Sequence, residues 1–117
     1  KLISVLKELD LESKAVTPHE LQKLISDQRK ILDNLDKSIV NALKKRMKIV
    51  DELGHIKANN NASVFQMERW FDLLKQRGNQ ARELGLNENF INELFQIIHK
   101  YSVEQQNKIY QHFRDKE

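Results

Sequence analysis

The sequence predicts an all-α protein with one long helix followed by two shorter helices. Three observations support this fold class. The 117 residues include three glycines and one proline, which leaves little room for the turns of a β-protein. Apolar residues recur at helical spacing over most of the chain. A polar break at residues 59–61 and the helix-ending and helix-capping residues Gly85 and Asn87 divide this pattern into three segments.

The composition is that of one globular domain and excludes several classes of function. Twenty Lys and Arg against seventeen Asp and Glu give a formal charge of +3, and the charges are interspersed, so no basic stripe indicates nucleic acid. Cysteine is absent, which excludes disulfides and thiolate chemistry. No apolar run reaches the length of a membrane span. The small positive net charge is compatible with a small anionic ligand.

The first residues carry a short amphipathic pattern and begin with Lys1 instead of methionine. We expect residues 1–16 to be a linker or a short helix from an upstream domain. Residues 17–117 are then expected to form the domain itself.

The long helix begins at a capping signal. Thr17 supplies an N-cap hydroxyl, Pro18 stands at the first helical position and Glu20 completes a capping box. Helical spacing continues to about Ala58, which predicts a helix of roughly 60 Å. A compact domain of this size has a radius of gyration of about 13 Å, so the chain cannot cover such a helix by itself. We therefore expect a second copy of the chain to pack against it.

Two shorter helices are predicted after the first polar break. Ser63 and Gln66 form a second capping box, and the helix that starts there is predicted to end near Leu84, with Gly85 as the C′ residue. Asn87 is predicted to cap the third helix.

Two cations lie on the predicted apolar face of the first helix, which runs through Ile39, Ala42, Leu53 and Ile56. Arg46 and Lys57 are eleven residues apart, about three turns, and therefore point the same way. Arg29 precedes Arg46 by seventeen residues, which rotates it by roughly 100° from that face. Arg29 is therefore a candidate for a different site, such as one in a partner subunit.

Polar residues also interrupt the apolar faces of the other two helices. Ser102 and Gln106 are spaced i,i+4 on the mainly apolar face of the third helix. Arg69 lies near the N-terminus of the second helix, where free backbone N–H groups favour anions.

Each of these residues also has an ordinary structural interpretation, which is favoured when the residue is taken singly. Arg46 and Lys57 can extend to solvent from the edge of a core stripe. Ser102 can bond to the carbonyl four residues earlier, and Gln106 can pair across a dimer. Together, however, they describe a cavity with three to four cations, a hydroxyl and an amide, without carboxylate partners. Burying that charge is costly, and a dianionic ligand would neutralise it.

Eight short segments keep their order and spacing across all three predicted helices: 29–36, 45–47, 54–57, 69, 72–74, 85–86, 94–98 and 102–106. This ordered set resembles the all-helical (AroQ-type) chorismate mutases from about Leu21 to Gln106. The resemblance implies a homodimer of intertwined helical chains that rearranges chorismate to prephenate. Such an enzyme belongs to aromatic amino-acid biosynthesis and is expected in the cytoplasm.

The resemblance also implies roles for the polar residues. Arg46 and Arg29 from the other subunit would hold the two carboxylates of chorismate. Lys57 and Gln106 would flank the ether oxygen of the breaking bond.

Three further residues complete the implied site, and one position departs from the family. Ser102 and Arg69 would support ligand placement, and Gln66 would contribute its backbone N–H where bacterial enzymes usually have Asp. Trp70 stands where family members commonly have a Glu that meets the ring hydroxyl of the substrate. That contact is therefore lost or made by another group.

The reaction implied here needs no cofactor, metal, nucleic acid or membrane, because a one-substrate pericyclic rearrangement requires positioning and charge stabilisation. The four histidines have no metal-ligand spacing, and we predict surface or packing roles for them. These residues are His19, His55, His99 and His112.

Three alternatives concern the activity and the partners. An isochorismate-pyruvate lyase on the same scaffold also lacks the ring-hydroxyl glutamate, so Trp70 is compatible with it. A non-catalytic helical module for dimerisation or ligand sensing would make the polar residues incidental. Residues 64–70 resemble the variant that is fused behind a 3-deoxy-7-phosphoheptulonate (DAHP) synthase, which makes such a synthase a candidate partner.

Overall fold

The computed structural model describes residues 16–116, which form three α-helices: α1 (Pro18–Asn59), α2 (Met67–Glu83) and α3 (Glu88–Asp115). The all-α prediction, with the long helix first, is confirmed. The predicted linker or helix over 1–16 lies outside the described residues except for Val16. Within the described chain, no helix is long and apolar enough to cross a membrane.

The chain divides after Ala42 into two units. The first unit contains the beginning of α1. The second unit contains the end of α1 together with α2 and α3, and it carries most of the residues singled out in the sequence.

The predicted N-terminal caps of α1 and α3 are confirmed. Thr17 Oγ1 accepts a hydrogen bond from the backbone N–H of Glu20 at 3.1 Å, and Glu20 Oε2 accepts one from the backbone N–H of Thr17 at 3.3 Å. Asn87 Oδ1 accepts a hydrogen bond from the backbone N–H of Phe90 at 3.0 Å. These bonds satisfy N–H groups that have no partner within the helix.

The helices α1 and α2 end in the same way. A residue with positive φ follows each of them, Asn61 at 53° and Gly85 at 71°. The backbone N–H of Ala62 then donates to the carbonyl of Lys57 at 2.8 Å, and the equivalent bond after α2 has the same length. This Schellman-type ending closes the last turn, and it confirms the predicted place of Gly85.

The predicted start of the second helix at Ser63 is wrong. Helix α2 begins at Met67 with Gln66 as its N-cap, and the Gln66 side chain makes no capping hydrogen bond. The preceding backbone is held by a tertiary contact instead, because Lys57 Nζ donates to the carbonyl of Val64 at 3.0 Å. The bond from the last turn of α1 thus holds the backbone at Val64 outside α2.

Helices α1 and α3 approach closely at Gly54. A Cβ atom on Gly54 would lie 3.0 Å from Cδ1 of Ile109 and 3.4 Å from Cα of Gln106. The missing side chain allows the two helices to come this near. Lys57 lies one turn after Gly54, so the close approach brings its side chain to Gln106.

Much apolar surface stays exposed in the single chain. The buried apolar residues of the described chain are Val50, Ala58, Leu73 and Ala81. Five large apolar residues of the first unit are 53–64% exposed: Ile31, Leu32, Leu35, Ile39 and Val40. Leu53 and Ile56, which were predicted to face inward, are 41% and 57% exposed. The predicted inward face of α1 is therefore not buried within one chain.

Candidate active site

A cavity of about 110 Å³ lies in the second unit, among the end of α1, the start of α2 and the middle of α3. Six of the seven residues predicted to bind or transform a ligand line it: Arg46, Lys57, Gln66, Arg69, Ser102 and Gln106. The rest of its wall is formed by Val50, Leu53, Val64, Leu73, His99 and Val103. Polar and cationic groups therefore converge on a partly apolar cavity.

Arg29 is the predicted site residue that does not join this group. It lies in the first unit, on an exposed part of α1, and it does not line the cavity. Its contribution to the site of a partner subunit stays a prediction.

Lys57 and Gln106 are in direct contact within the cavity. Lys57 Nζ donates to Gln106 Oε1 at 2.7 Å. Gln106 is buried, with 6% of its surface exposed. Its amide N–H groups donate to no residue that the structure describes, so they can donate to a ligand. The pair presents an ammonium group and an amide donor side by side.

Arg46 is positioned by Ser102. The Nη1 atom of Arg46 donates to Ser102 Oγ at 2.7 Å, and Ser102 Oγ donates to the carbonyl of Ile98 at 2.8 Å. The serine therefore makes the ordinary bond within its helix and also holds the guanidinium group. The other N–H groups of Arg46 remain available for a carboxylate, which the planar guanidinium can bind through two hydrogen bonds.

Positive charge is concentrated in the cavity without a matching negative charge. Arg46, Lys57 and Arg69 line it, and no Asp or Glu among residues 16–116 does so. Burial, followed by repulsion from Arg69 and Arg77, lowers the pKa of Arg46. Burial also lowers the pKa of Lys57. Both shifts indicate that the cavity disfavours the charged forms of Arg46 and Lys57. An anionic ligand in the cavity would stabilise these charges and would itself be stabilised by them.

His99 lies in the wall of the cavity, although the sequence predicted a surface or packing role for it. Its ring lies against Trp70, with ring centroids 4.2 Å apart and planes tilted by 34°. Phe65 meets the same ring edge-on at 5.9 Å. The signal that was missed is its spacing, because His99 precedes Ser102 by three residues and Gln106 by seven on one helix face.

The surroundings of His99 favour the neutral form of its imidazole. Burial lowers its pKa from the ordinary 6.5, and repulsion from Arg46, Lys57 and Arg69 lowers it further. A neutral imidazole offers one nitrogen as a donor and the other as an acceptor.

The free energy of unfolding should depend on pH through His99. Because the pKa of His99 is lower in the folded chain than the ordinary 6.5, the unfolded chain binds a proton first as the pH falls. The stability that depends on neutral His99 is therefore fully present above pH 6.5. It is lost as the pH falls from 6.5 through the lowered pKa of the folded chain. We expect His99→Gln to flatten this dependence in urea unfolding between about pH 7.5 and pH 5.

The matched control for this prediction is His112→Gln, which removes an exposed imidazole from the same helix. An unchanged pH dependence in His99→Gln would contradict the prediction.

A larger depression of about 610 Å³ lies beside Tyr110. Among the described residues that line it, Arg114 alone carries a charge. The smaller cavity is the better candidate site, because its cations, its amide and its buried hydroxyl are directed at one space.

Comparison with known proteins places residues 28–107 in the family described as "Chorismate mutase type II". The chain is 38% identical over 85 residues to the bifunctional chorismate mutase/prephenate dehydratase of Buchnera aphidicola subsp. Schizaphis graminum. These residues make up 73% of the chain and 22% of that protein. It is 39% identical over 90 residues to the isochorismate pyruvate lyase of Pseudomonas aeruginosa, covering 76% of the chain and 87% of that protein. The T-protein of Haemophilus influenzae is 23% identical over 84 residues, which cover 72% of the chain and 22% of that protein. The chain thus spans about a fifth of the length of the bifunctional relative and of the T-protein.

Proposed function

The chain belongs to the chorismate mutase type II family, and we propose that it catalyses the rearrangement of chorismate to prephenate in aromatic amino-acid biosynthesis. The observation that carries this proposal is the composition of the cavity. Arg46, Lys57 and Arg69 line it together with the buried Gln106, and no Asp or Glu among residues 16–116 does. Chorismate carries two carboxylates, and its rearrangement builds negative charge on an ether oxygen. A cavity of cations and amide donors matches both requirements.

Lys57 and Gln106 are proposed to act on the ether oxygen of the breaking bond. Lys57 Nζ and Gln106 Oε1 are 2.7 Å apart, so the ammonium and the free amide N–H groups can reach one ligand atom together. Both donors are positioned before the ligand arrives, so little reorganisation is needed as the charge develops.

Arg46 is proposed to bind a carboxylate of chorismate, with Ser102 as the residue that positions it. Arg69 and Gln66 lie at the start of α2 and border the same cavity. We assign them to ligand placement, where backbone N–H groups at the helix start add to the attraction for an anion. Holding the substrate in its compact conformer lowers the entropic part of the barrier.

Removal of the cavity from water increases the value of these charges. Two unit charges 4 Å apart interact by about 1 kcal/mol in water and by about 4 kcal/mol at an effective dielectric constant of 20. A half-buried site of this kind can therefore stabilise the transition state more than exposed lysines and arginines would.

The direct test is the loss of chorismate absorbance in the presence of the purified chain, followed by identification of the product. Formation of prephenate, which an exposed-site variant such as Lys48→Ala retains, supports the proposal. A well-folded protein that binds chorismate without converting it would indicate a ligand-sensing module.

We further propose that the active protein is a homodimer in which Arg29 of the partner subunit completes the site. The support is the apolar surface that one chain leaves exposed. Ile39 and Val40 in the first unit are 59% and 64% exposed, and Phe71 and Ile97 in the second unit are 60% and 56% exposed. Large apolar side chains left exposed in each unit indicate an interaction site.

Subunit mixing tests whether the site is shared. Arg29→Ala and Arg46→Ala are each expected to be inactive, and a mixed dimer would contain one site in which both arginines are present. After equal mixing, half of the dimers are mixed and each has one intact site of two, so about a quarter of wild-type activity should return.

The control for subunit mixing is Arg46→Ala mixed with itself under the same exchange conditions, which should stay inactive. Mass spectrometry of the exchanged dimers verifies that mixed species have formed. Absence of activity in verified mixed dimers would argue against the shared site.

A second candidate function is the cleavage of isochorismate to salicylate and pyruvate. Two observations favour it: Trp70 at the position of the family glutamate, and the similarity to the Pseudomonas aeruginosa lyase over 87% of that protein. Assays with isochorismate, with salicylate fluorescence as the signal, distinguish the two activities.

We also propose that the domain acts in the cytoplasm and is joined to, or associates with, a DAHP synthase. The support is the resemblance of residues 64–70 to the variant that carries this fusion. Sequencing of the coding region upstream of Lys1 tests the fusion, and co-purification tests the association.

A further inference from the structure

His99 offers the cavity a neutral acceptor on a ring that its neighbours hold in place. The cavity is lined by cations, and the oxygens of its buried polar side chains are already engaged. Ser102 Oγ bonds to Arg46 and to the Ile98 carbonyl, and Gln106 Oε1 bonds to Lys57. By contrast, neither ring nitrogen of His99 bonds to a residue that the structure describes. The imidazole is therefore available to a ligand as a neutral acceptor.

The orientation of this ring is fixed from two sides. Trp70 of α2 lies against one face at 4.2 Å between centroids, and Phe65 of the α1–α2 connection meets it edge-on at 5.9 Å. These contacts limit rotation of the imidazole within the wall and add aromatic contact energy. Trp70 is the departure from the family pattern, and it supports His99 from α2 while Arg69, the preceding residue, lines the cavity.

The charged groups that face the imidazole are all cations. They are Arg46 and Lys57 from α1 and Arg69 from α2, and the residues of α3 that line the cavity carry no acidic group. Chorismate carries one ring hydroxyl besides its two carboxylates. The cations match the carboxylates, whereas the hydroxyl proton needs an acceptor, and no Asp or Glu of the described chain lines the cavity.

We propose that His99 accepts a hydrogen bond from the ring hydroxyl of the substrate and is a specificity-determining residue, with Trp70 as the residue that positions it. This inference rests on the proposed function. It explains how a cavity with Trp70 in place of the family glutamate can still recognise the hydroxyl. Isomers of the substrate that carry the hydroxyl elsewhere would lose this contact, because the imidazole is held in one orientation.

The test removes the contact from each side in turn. The substrates are chorismate and its analogue that lacks the ring hydroxyl. The hydroxyl takes no part in the bonds that are made or broken, so the analogue can still rearrange. For chorismate, His99→Leu should lower kcat/KM by roughly three- to tenfold, the loss expected for one neutral hydrogen bond. For the analogue, wild type and His99→Leu should have similar kcat/KM values. His99→Gln keeps a neutral acceptor and should recover part of the loss.

Trp70→Ala provides a readout that a purely structural role would not give. It should lower kcat/KM for chorismate in the wild-type background and add little in the His99→Leu background, because the residue it positions is absent. His112→Leu, at an exposed site on α3, is the matched control, and circular dichroism verifies that all variants are folded.

The outcomes separate this inference from the proposed function. Equal losses for chorismate and the analogue in folded His99→Leu and His99→Gln would overturn the hydroxyl contact and leave the mutase proposal standing. Additive losses in Trp70→Ala and His99→Leu would overturn the positioning role of Trp70. A wild-type protein that converts neither compound would overturn the proposed function, and this inference with it.

Discussion

Replacing Lys57 with alanine is expected to lower kcat for chorismate rearrangement by roughly a hundred- to a thousandfold, the effect of removing one preorganised donor from a developing oxyanion. Lys57 Nζ lies 2.7 Å from Gln106 Oε1. We propose that the ether oxygen of the substrate binds beside this pair. The donor is half-buried, so water cannot replace it efficiently. The measurement is kcat from initial rates at saturating chorismate.

Two controls separate this effect from misfolding and from loss of general charge. Lys48→Ala removes an exposed lysine from the same helix and should keep wild-type kcat. Circular dichroism should show that Lys57→Ala keeps its helices, because most hydrogen bonds of α1 are made within the helix. Turnover near the wild-type level in folded Lys57→Ala would rule out this cavity as the active site.

Replacing Arg46 with alanine is expected to lower kcat/KM by roughly a hundredfold, because two charge-assisted hydrogen bonds to a carboxylate are lost. The loss should include a higher KM, since the carboxylate is bound in the ground state as well as in the transition state. Steady-state kinetics, together with the affinity for a non-reacting dicarboxylate, measure both parts.

Arg46→Lys is the informative companion variant. It keeps the charge but cannot form the planar, two-bond contact, so recovery should be partial. Lys45→Ala, at the exposed neighbouring position, is the matched control and should not change KM. A normal KM in Arg46→Ala would show that this arginine does not bind the carboxylate.

The helices could be predicted from the sequence where local interactions decide the structure. The capping box at Thr17 and the C′ glycine at residue 85 depend on neighbouring residues, and both were identified. The start of α2 could not be predicted in this way, because the hydrogen bond from Lys57 to the Val64 carbonyl joins residues in different elements. The burial of α1 could not be read from its periodicity either, because apolar residues such as Ile39 stay exposed in one chain.

The candidate site was predictable as a set of chemical types and less so as an arrangement. Helical periodicity places Arg46 and Lys57 on one side of α1, and the structure brings them to Ser102 and Gln106. Periodicity alone did not identify His99, because a histidine on an apolar face most often has a packing role. Its contact with Trp70 depends on the packing of α2 against α3, which no local pattern specifies.

Gly54 has a consequence for protein engineering. Helix propensity alone would recommend alanine at this position, with a gain of about 1 kcal/mol. The added methyl group would lie 3.0 Å from Cδ1 of Ile109, which would have to move slightly, and in contact with Cα of Gln106 at 3.4 Å, one turn from the proposed catalytic lysine. The gain from helix propensity is therefore offset by the displacement of Ile109, at a crossing that also positions Gln106. Stabilising substitutions are better placed on the solvent-facing side of α3, away from this crossing.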